Sequence, residues 1–431
     1  MSPEGNGSNG SRSGGGLSSM FRSFRYRNYR LFFTGQSISL IGTWIQRIAT
    51  PWLVYHLTNS PFLLGLVGFA GQIPTFLVAP FAGVITDRRN RYHIMIATQV
   101  AAMIQALILA ALYFKGNIQV WEIVVLNMFL GCINAFDTPA RQSFVIQMVE
   151  KKEDLGNAIA LNSSMVNIAR LLGPSIAGVL IALTGEGICF LINGLSYIFV
   201  IASLFMMKVE PKEQAKSDKA VIHDLKEGLS YASGFIPIWW TILLLAVVSL
   251  MGMSYQTLMP VFAKEILHGG SHTFGFLMGA TGLGALSGAL WLASRKSTRG
   301  LVNLIPAAAA LFGAALIAFS FSRYLPLSMA LLVLSGLGMM MQMASSNTLV
   351  QTIVDDKMRG RVMSFYTMAF MGTAPFGSFM AGALAKYVGT PVTLVIGGSV
   401  CIAGAIIFAQ KLPAIRKQIK PAYAKQELIE T

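Results

Sequence analysis

Two arginines stand where the surrounding sequence offers them little water. Arg47 falls past the middle of an apolar run at about 31–57, and Arg170 near the middle of another at about 157–183. A guanidinium stays charged, so each needs acceptors, an aromatic face or a hydrated cavity. No Asp or Glu lies at comparable depth in either run. Two fixed cations short of carboxylates favour an anionic, zwitterionic or neutral polar ligand over a simple organic cation. If the runs are helical, at about 100° per residue, Gln36, Thr43, Arg47 and Thr50 share one stripe of the first. Ser163, Asn167, Arg170 and Pro174 share one stripe of the other. A third constellation is the stretch Gly83-Val84-Ile85-Thr86-Asp87-Arg88-Arg89-Asn90-Arg91, a tight basic connection with one carboxylate. A fourth is Asp137 and Arg141, one helical turn apart and suited to an ion pair.

The elements that must position these residues are apolar helices. The chain has 431 residues, 54% hydrophobic and 12% charged, which excludes an ordinary soluble protein. Apolar runs near 31–57, 62–86, 93–114, 119–142, 157–183 and 188–207 are each long enough to cross a bilayer. Six more follow near 238–263, 274–293, 301–321, 326–348, 360–386 and 391–411. Residues 1–20 are rich in Gly and Ser and read as a disordered tail. Residues 21–30 read as a basic, aromatic segment lying on the membrane surface. Residues 208–235 read as a Lys-rich linker with some amphipathic helix, and 412–431 as a basic tail. The net charge of +15 is one-sided: outside the runs only Lys115, Lys264, Arg323 and Lys386 fall opposite the remaining Lys and Arg. That asymmetry places both termini and the linker in the cytoplasm of a multi-pass membrane protein, and it needs no nucleic-acid partner. No cleavable leader is expected, because the first run is too long and lacks a small-residue cleavage site. Cys132, Cys189 and Cys401 lie in apolar runs without metal spacing, and the five His are scattered. No metal or cofactor is expected, and clustered groups for a membrane enzyme are missing.

The chain also repeats itself. Gly42, Pro51, Gly65, Gly83, Val145, Gly173 and Gly178 recur as Gly252, Pro260, Gly275, Gly288, Val350, Gly377 and Gly382, at offsets between 204 and 210. A nearly constant offset over so many landmarks implies two related six-helix halves, residues 21–207 and 236–411, with a ligand site between them. The second copy of the basic loop keeps Gly288, Arg295 and Lys296 but has Leu292 in place of Asp87.

The loop Gly83, Asp87, Arg88 and Arg91 resembles the Gly-x-x-x-Asp-Arg-x-Gly-Arg signature of the major facilitator superfamily. Asn90 stands for the second glycine, both residues tolerating the left-handed conformation. The segments Phe24 to Arg30, Gln36 to Ser39, Leu57 to Pro61 and Asn167 to Gly178 resemble the enterobactin-exporter and macrolide-efflux branch. Gly173-Pro174 is similar to the superfamily's antiporter signature. The resemblance implies an all-α, twelve-helix transporter whose central cavity is bordered by helices 1 and 5 and by helices 7, 8, 10 and 11. Cavity residues would then be Arg47, Arg170, Gln36, Thr43, Asn167 and Ser163, with Tyr255, Gln256, Gln342 and Ser345 in the second half. It further implies that Gly83, Asp87, Arg88, Arg91, Asp137, Arg141, Gly173 and Pro174 control gating. Asp137 would pair with Arg91, and Asp87 would face the start of helix 11 near Arg361. The function expected is secondary export of an amphipathic small molecule such as a drug, macrolide or siderophore, by a monomer with protons as candidate coupling ion. Uptake of a metabolite and flipping of a lysolipid are alternatives on the same fold.

Overall fold

The computed structural model describes residues 21–149, 151–208, 221–295, 297, 300–355 and 358–430, without the side chains of 84, 87, 152, 221–226 and 420–430. The tail 1–20, the linker portion 209–220, Lys296 and the Asp87 side chain therefore lie outside the described residues. Within them the chain is helical throughout. The spans are α1 (Arg27–Thr58), α2 (Pro61–Arg88), α3 (Arg91–Phe114), α4 (Val120–Gln147), α5 (Lys152–Thr184) and α6 (Glu186–Phe205). After a linker helix (Val221–Gly234) come α7 (Ile236–Ile266), α8 (Ser271–Ala293), α9 (Leu301–Phe321), α10 (Leu325–Ile353), α11 (Arg359–Val388) and α12 (Thr390–Glu430). All but α1 are apolar and long enough to cross a membrane, and α1, at 32 residues, has the length. Its polar stripe dilutes its hydropathy. The last helix continues past residue 411 to Glu430 instead of ending in a separate tail.

Successive helices run antiparallel, so one face of the bundle carries the basic connections and both described ends, and the opposite face carries short turns. The α1–α2 reversal shows how local chemistry makes such a turn. Asn59 takes the left-handed conformation (φ 48°) that ends α1, Ser60 Oγ accepts from Leu63 N, and Pro61 opens α2 without a missing donor. Asn90 does something different from the expected left-handed turn: at φ −65° its side chain accepts from Tyr92 N and caps α3.

The segment before α1 is tied to the start of α5 by side-chain bonds. Ser23 bonds Asn157 and the Asp154 carbonyl, while Arg25 and Tyr26 both reach the buried Asp154 carboxylate. Tyr29 Oη donates to Ala158 O. Asp154 lies in the first turn of α5, where the helix dipole favours a carboxylate, and the contacts staple the start of α1 to the start of α5.

The two halves meet along α2 with α11 and α5 with α8, most tightly toward the face of short turns. Gly65 of α2 crosses Gly382 of α11, and Gly178 of α5 crosses Gly275 of α8. A Cβ on Gly65 would sit 2.9 Å from Gly382 Cα, and one on Gly178 would sit 2.9 Å from Gly275 Cα. These four glycines are repeat landmarks: the first crossing becomes the second when each residue is replaced by its repeat partner. The carbonyls of Pro61 and Ser271 abut the two crossings in matching fashion. Around them Trp52 stacks on Phe274 at 6.0 Å, Tyr55 Oη bonds Glu265, and Lys264 Nζ bonds Asn59 Oδ1 at 2.8 Å. Aromatic contacts of Phe62 and Phe69 with Phe376 and Phe379 continue the seal along α2 and α11. At the basic face the linker helix holds to its own half, through Glu227 to Arg361 (2.7 Å) and Tyr231 to Asp355 (3.0 Å).

Candidate functional site

The seal on α5 ends at Arg170. Gly282 of α8 still approaches the Arg170 carbonyl, while Asn167 and Ser163, one and two turns toward the basic face, are half-buried and exposed. Asn167 Nδ2 bonds only the Ser163 carbonyl behind it on the same helix. On α1 the side chain of Arg47 is exposed between buried Gln46 and Ile48. Arg47 and Arg170 converge on a residue that polarity alone does not single out, Trp44. The Arg47 guanidinium lies 4.9 Å and the Arg170 guanidinium 5.8 Å from the Trp44 ring centroid. A cation over an indole face is attracted by the ring quadrupole, which partly replaces lost water. The signal for Trp44 was its spacing, three residues before Arg47 and so on the same helical face.

Trp44 is held in place from below. A Cβ on Gly173 would run into the Trp44 Cβ, so the glycine of the Gly-Pro signature is the recess in which the indole seats. Leu40, Met165 and Ala169 form a small apolar cluster against the same side chain. The next residue, Pro174, presents its carbonyl to Gly275 and belongs to the α5–α8 crossing.

The other polar residues of α1 turn inward, away from the arginines. Thr43 bonds the Ser39 carbonyl and approaches Tyr197 Oη of α6 at 3.4 Å. Gln36 is buried, its Oε1 without a hydrogen-bond partner, and Thr50 is buried against the Gln46 carbonyl. Gln46 joins Gln105 of α3 (3.0 Å) and Asn193 of α6 (2.7 Å) in a buried amide chain that fixes the three helices. In the second half Tyr255 is buried against Phe312 and Thr281, Gln342 is buried with its amide toward Ser346, and Ser345 is fully buried. Gln256 is half-buried. The structure thus brings Arg47 and Arg170 to one indole, leaves Asn167 and Ser163 on the same α5 stripe as Arg170, and places Tyr255, Gln342 and Ser345 within helix packing.

The loop constellation is also placed. Asp137 of α4 is buried and accepts from Thr98 Oγ1 (3.1 Å), Gln99 Nε2 (2.7 Å) and Arg141 Nε (3.2 Å). The expected pairing of Asp137 with Arg91 is not made. The Arg141 side chain, one turn away on the same helix, reaches the carboxylate first, and two α3 donors fill its remaining lone pairs. Gly83 touches nothing within 4 Å of where a Cβ would lie, and Arg88 is exposed at the end of α2. Glu122, at the other end of α4, closes a capping box on Gln119.

Two helices of the second half are locally widened. α7 is π-helical over Val248–Gly252 and α11 over Met368–Gly372, and there Ser249 Oγ donates to the Phe370 carbonyl at 2.5 Å. A π turn displaces backbone carbonyls from their usual partners, and the serine satisfies one of them.

Residues 18–430 match the family described as transmembrane secretion effector. The staphyloferrin A transporter of Staphylococcus aureus is 27% identical over 391 residues, spanning 89% of this chain and 96% of that protein. Macrolide efflux protein A of Streptococcus pyogenes is 22% identical over 395 residues, with the same coverage. Among solved structures, a bacterial homologue of the human lysosomal transporter Spinster, inward-facing and occupied, superposes with a TM-score of 0.70 at 15% identity over 91% of this chain and 98% of that one. A POT family transporter in complex with a thioalcohol-conjugated peptide superposes with a TM-score of 0.72 at 11% identity, over 90% of this chain and 96% of that one. Two pseudo-symmetric six-helix halves with polar groups between them are the architecture of secondary transporters rather than enzymes, and this chain belongs to the transmembrane secretion effector family of the major facilitator superfamily.

Proposed function

We propose that the chain exports amphipathic small molecules across the cytoplasmic membrane by alternating access, with both termini and the basic face in the cytoplasm. The observation that carries this reading is the pair Arg47 and Arg170 on Trp44, at mid-depth beside the inner edge of the seal between the halves. Charge at that depth is costly unless it serves a ligand path. The one-sided Lys and Arg distribution supports the orientation. In this reading the sealed face is external, and the conformation described is open to the cytoplasm, ready to load. Relatives named for staphyloferrin A transport and macrolide efflux support an amphipathic cargo.

Residues 21–207 and 236–411 are the two units that rock, joined by 208–235, and the transporter acts as a monomer. Arg47, Arg170, Asn167 and Ser163 contact cargo first. Gln36, Thr43, Tyr255, Gln256, Gln342 and Ser345 join the cavity wall as the halves move. Protons are the coupling ion, and buried Asp137 and Glu186 are the carboxylates placed to carry them. Gly83, Asp87, Arg88, Arg91, Asp137, Arg141, Gly173 and Pro174 set the rate of interconversion. Asp87→Asn is therefore expected to leave cargo affinity within a few fold and to slow transport strongly, measured as binding and flux on the same preparation. The reading as a whole is tested by accumulation of macrolide and siderophore panels in cells stripped of their own exporters. Expression of the chain should lower accumulation of at least one amphipathic compound. Raised accumulation would identify an uptake permease instead.

A further inference from the structure

The geometry points to a two-cation clamp, Arg47 and Arg170 set by Trp44, that selects cargo carrying two or more carboxylates. The inference rests on the exporter reading and narrows it to a substrate class. Four observations carry it. Both guanidiniums approach one indole, at 4.9 and 5.8 Å, so two like charges are held near each other. Neither has a hydrogen bond or an ion pair to any described residue; their only specific partner is the ring. The Arg47 side chain is exposed although it lies mid-helix between buried neighbours. Finally, the ring that sets the spacing is itself fixed, seated in the Gly173 recess and packed on Leu40, Met165 and Ala169.

An indole can attract both cations but cannot neutralise either. Each guanidinium keeps a planar fork of N–H donors that matches one carboxylate in bidentate fashion. One carboxylate would satisfy a single fork and leave the other charge unpaired nearby. Two carboxylates on one molecule satisfy both forks and remove the repulsion between them. Charge-assisted contacts of this kind are also the strong ones when water is limited. A cation at the same place meets repulsion from both sides. Trp44 acts as a positioning residue, since it sets the distance between the forks.

The test uses one aromatic scaffold in four charge states: 2-naphthylmalonate, 2-naphthylacetate, 2-naphthylacetamide and a 2-naphthylmethyl-trimethylammonium salt. Binding to the purified full-length transporter in neutral detergent is read by calorimetry. The dianion should bind about tenfold more tightly than the monoanion and more tightly still than the amide, with the cation weakest. Arg47→Gln or Arg170→Gln should erase the dianion-over-monoanion preference, the dianion losing about tenfold in affinity relative to the monoanion. Trp44→Phe should keep the preference, and Trp44→Leu should lose it while the protein still melts cooperatively. Equal affinity of the wild type for dianion and amide overturns the clamp, as does a preference that survives both Gln variants. Export of neutral amphiphiles by the Arg47→Gln, Arg170→Gln variant would leave the exporter reading intact, so the two readings fail separately.

Discussion

Gly173 shows how one absent methyl shapes the site. Alanine there would drive its Cβ into the Trp44 Cβ, whose side chain also packs on Leu40, Met165 and Ala169. Overpacking of this kind costs typically about 1–3 kcal/mol, and here it would displace the ring that spaces the two arginines. Gly173→Ala is expected to express, to melt a few degrees lower, and to lose most transport; flux in vesicles with a melting curve on the same sample checks it. At this scale the sequence was partly readable. Arg47 and Arg170 stood out because charge in an apolar run is costly. Trp44 did not, because an aromatic in such a run looks like packing. Tyr255, Gln342 and Ser345 looked like cavity residues for their polarity alone. Burial against Phe312, Thr281 and Ser346 depends on helix rotation, which a single sequence does not report.

Among the elements, the helices and their reversals were the most legible part. Asn59-Ser60-Pro61 spells out its turn in cap, donor and ring chemistry, whereas the π turns of α7 and α11 leave no comparable mark. The repeat glycines were legible as landmarks, but their purpose emerges only where α2 meets α11 and α5 meets α8. A Cβ on Gly275 would meet the Gly178 Cα at 2.8 Å, backbone against backbone, with no flexible side chain to give way. Gly275→Ala should therefore disfavour the sealed arrangement while sparing the other conformation. Cysteines placed near the α5–α8 turns, in a background without Cys132, Cys189 and Cys401, should react faster with impermeant thiol reagents than in the parent. Unchanged labelling would mean that the crossing does not govern closure.

Across the whole molecule, the two halves are tied at one face by a few specific contacts. Tyr55 Oη to Glu265 and Lys264 to Asn59 bridge the ends of α1 and α7, where both partners of each bond come from different halves. A hydrogen bond to a charged group is worth about 1.5–3 kcal/mol, comparable with the gap between transporter conformations. Tyr55→Phe removes one such bond without changing the ring, so it should raise the population open at that face severalfold, seen as a longer distance between spin labels on α1 and α7. The overall architecture, two six-helix halves and a basic face, was legible because hydropathy, charge asymmetry and the repeat agree. Which face is closed was not, since the same sequence must support both closures. The account stands most directly on flux through energised inside-out vesicles of a fluorescent anionic amphiphile. Wild-type protein should concentrate it inside those vesicles, and the Arg47→Gln, Arg170→Gln variant should not, although inserted to the same level. Equal accumulation by wild type and variant, or accumulation only in right-side-out vesicles, would contradict it.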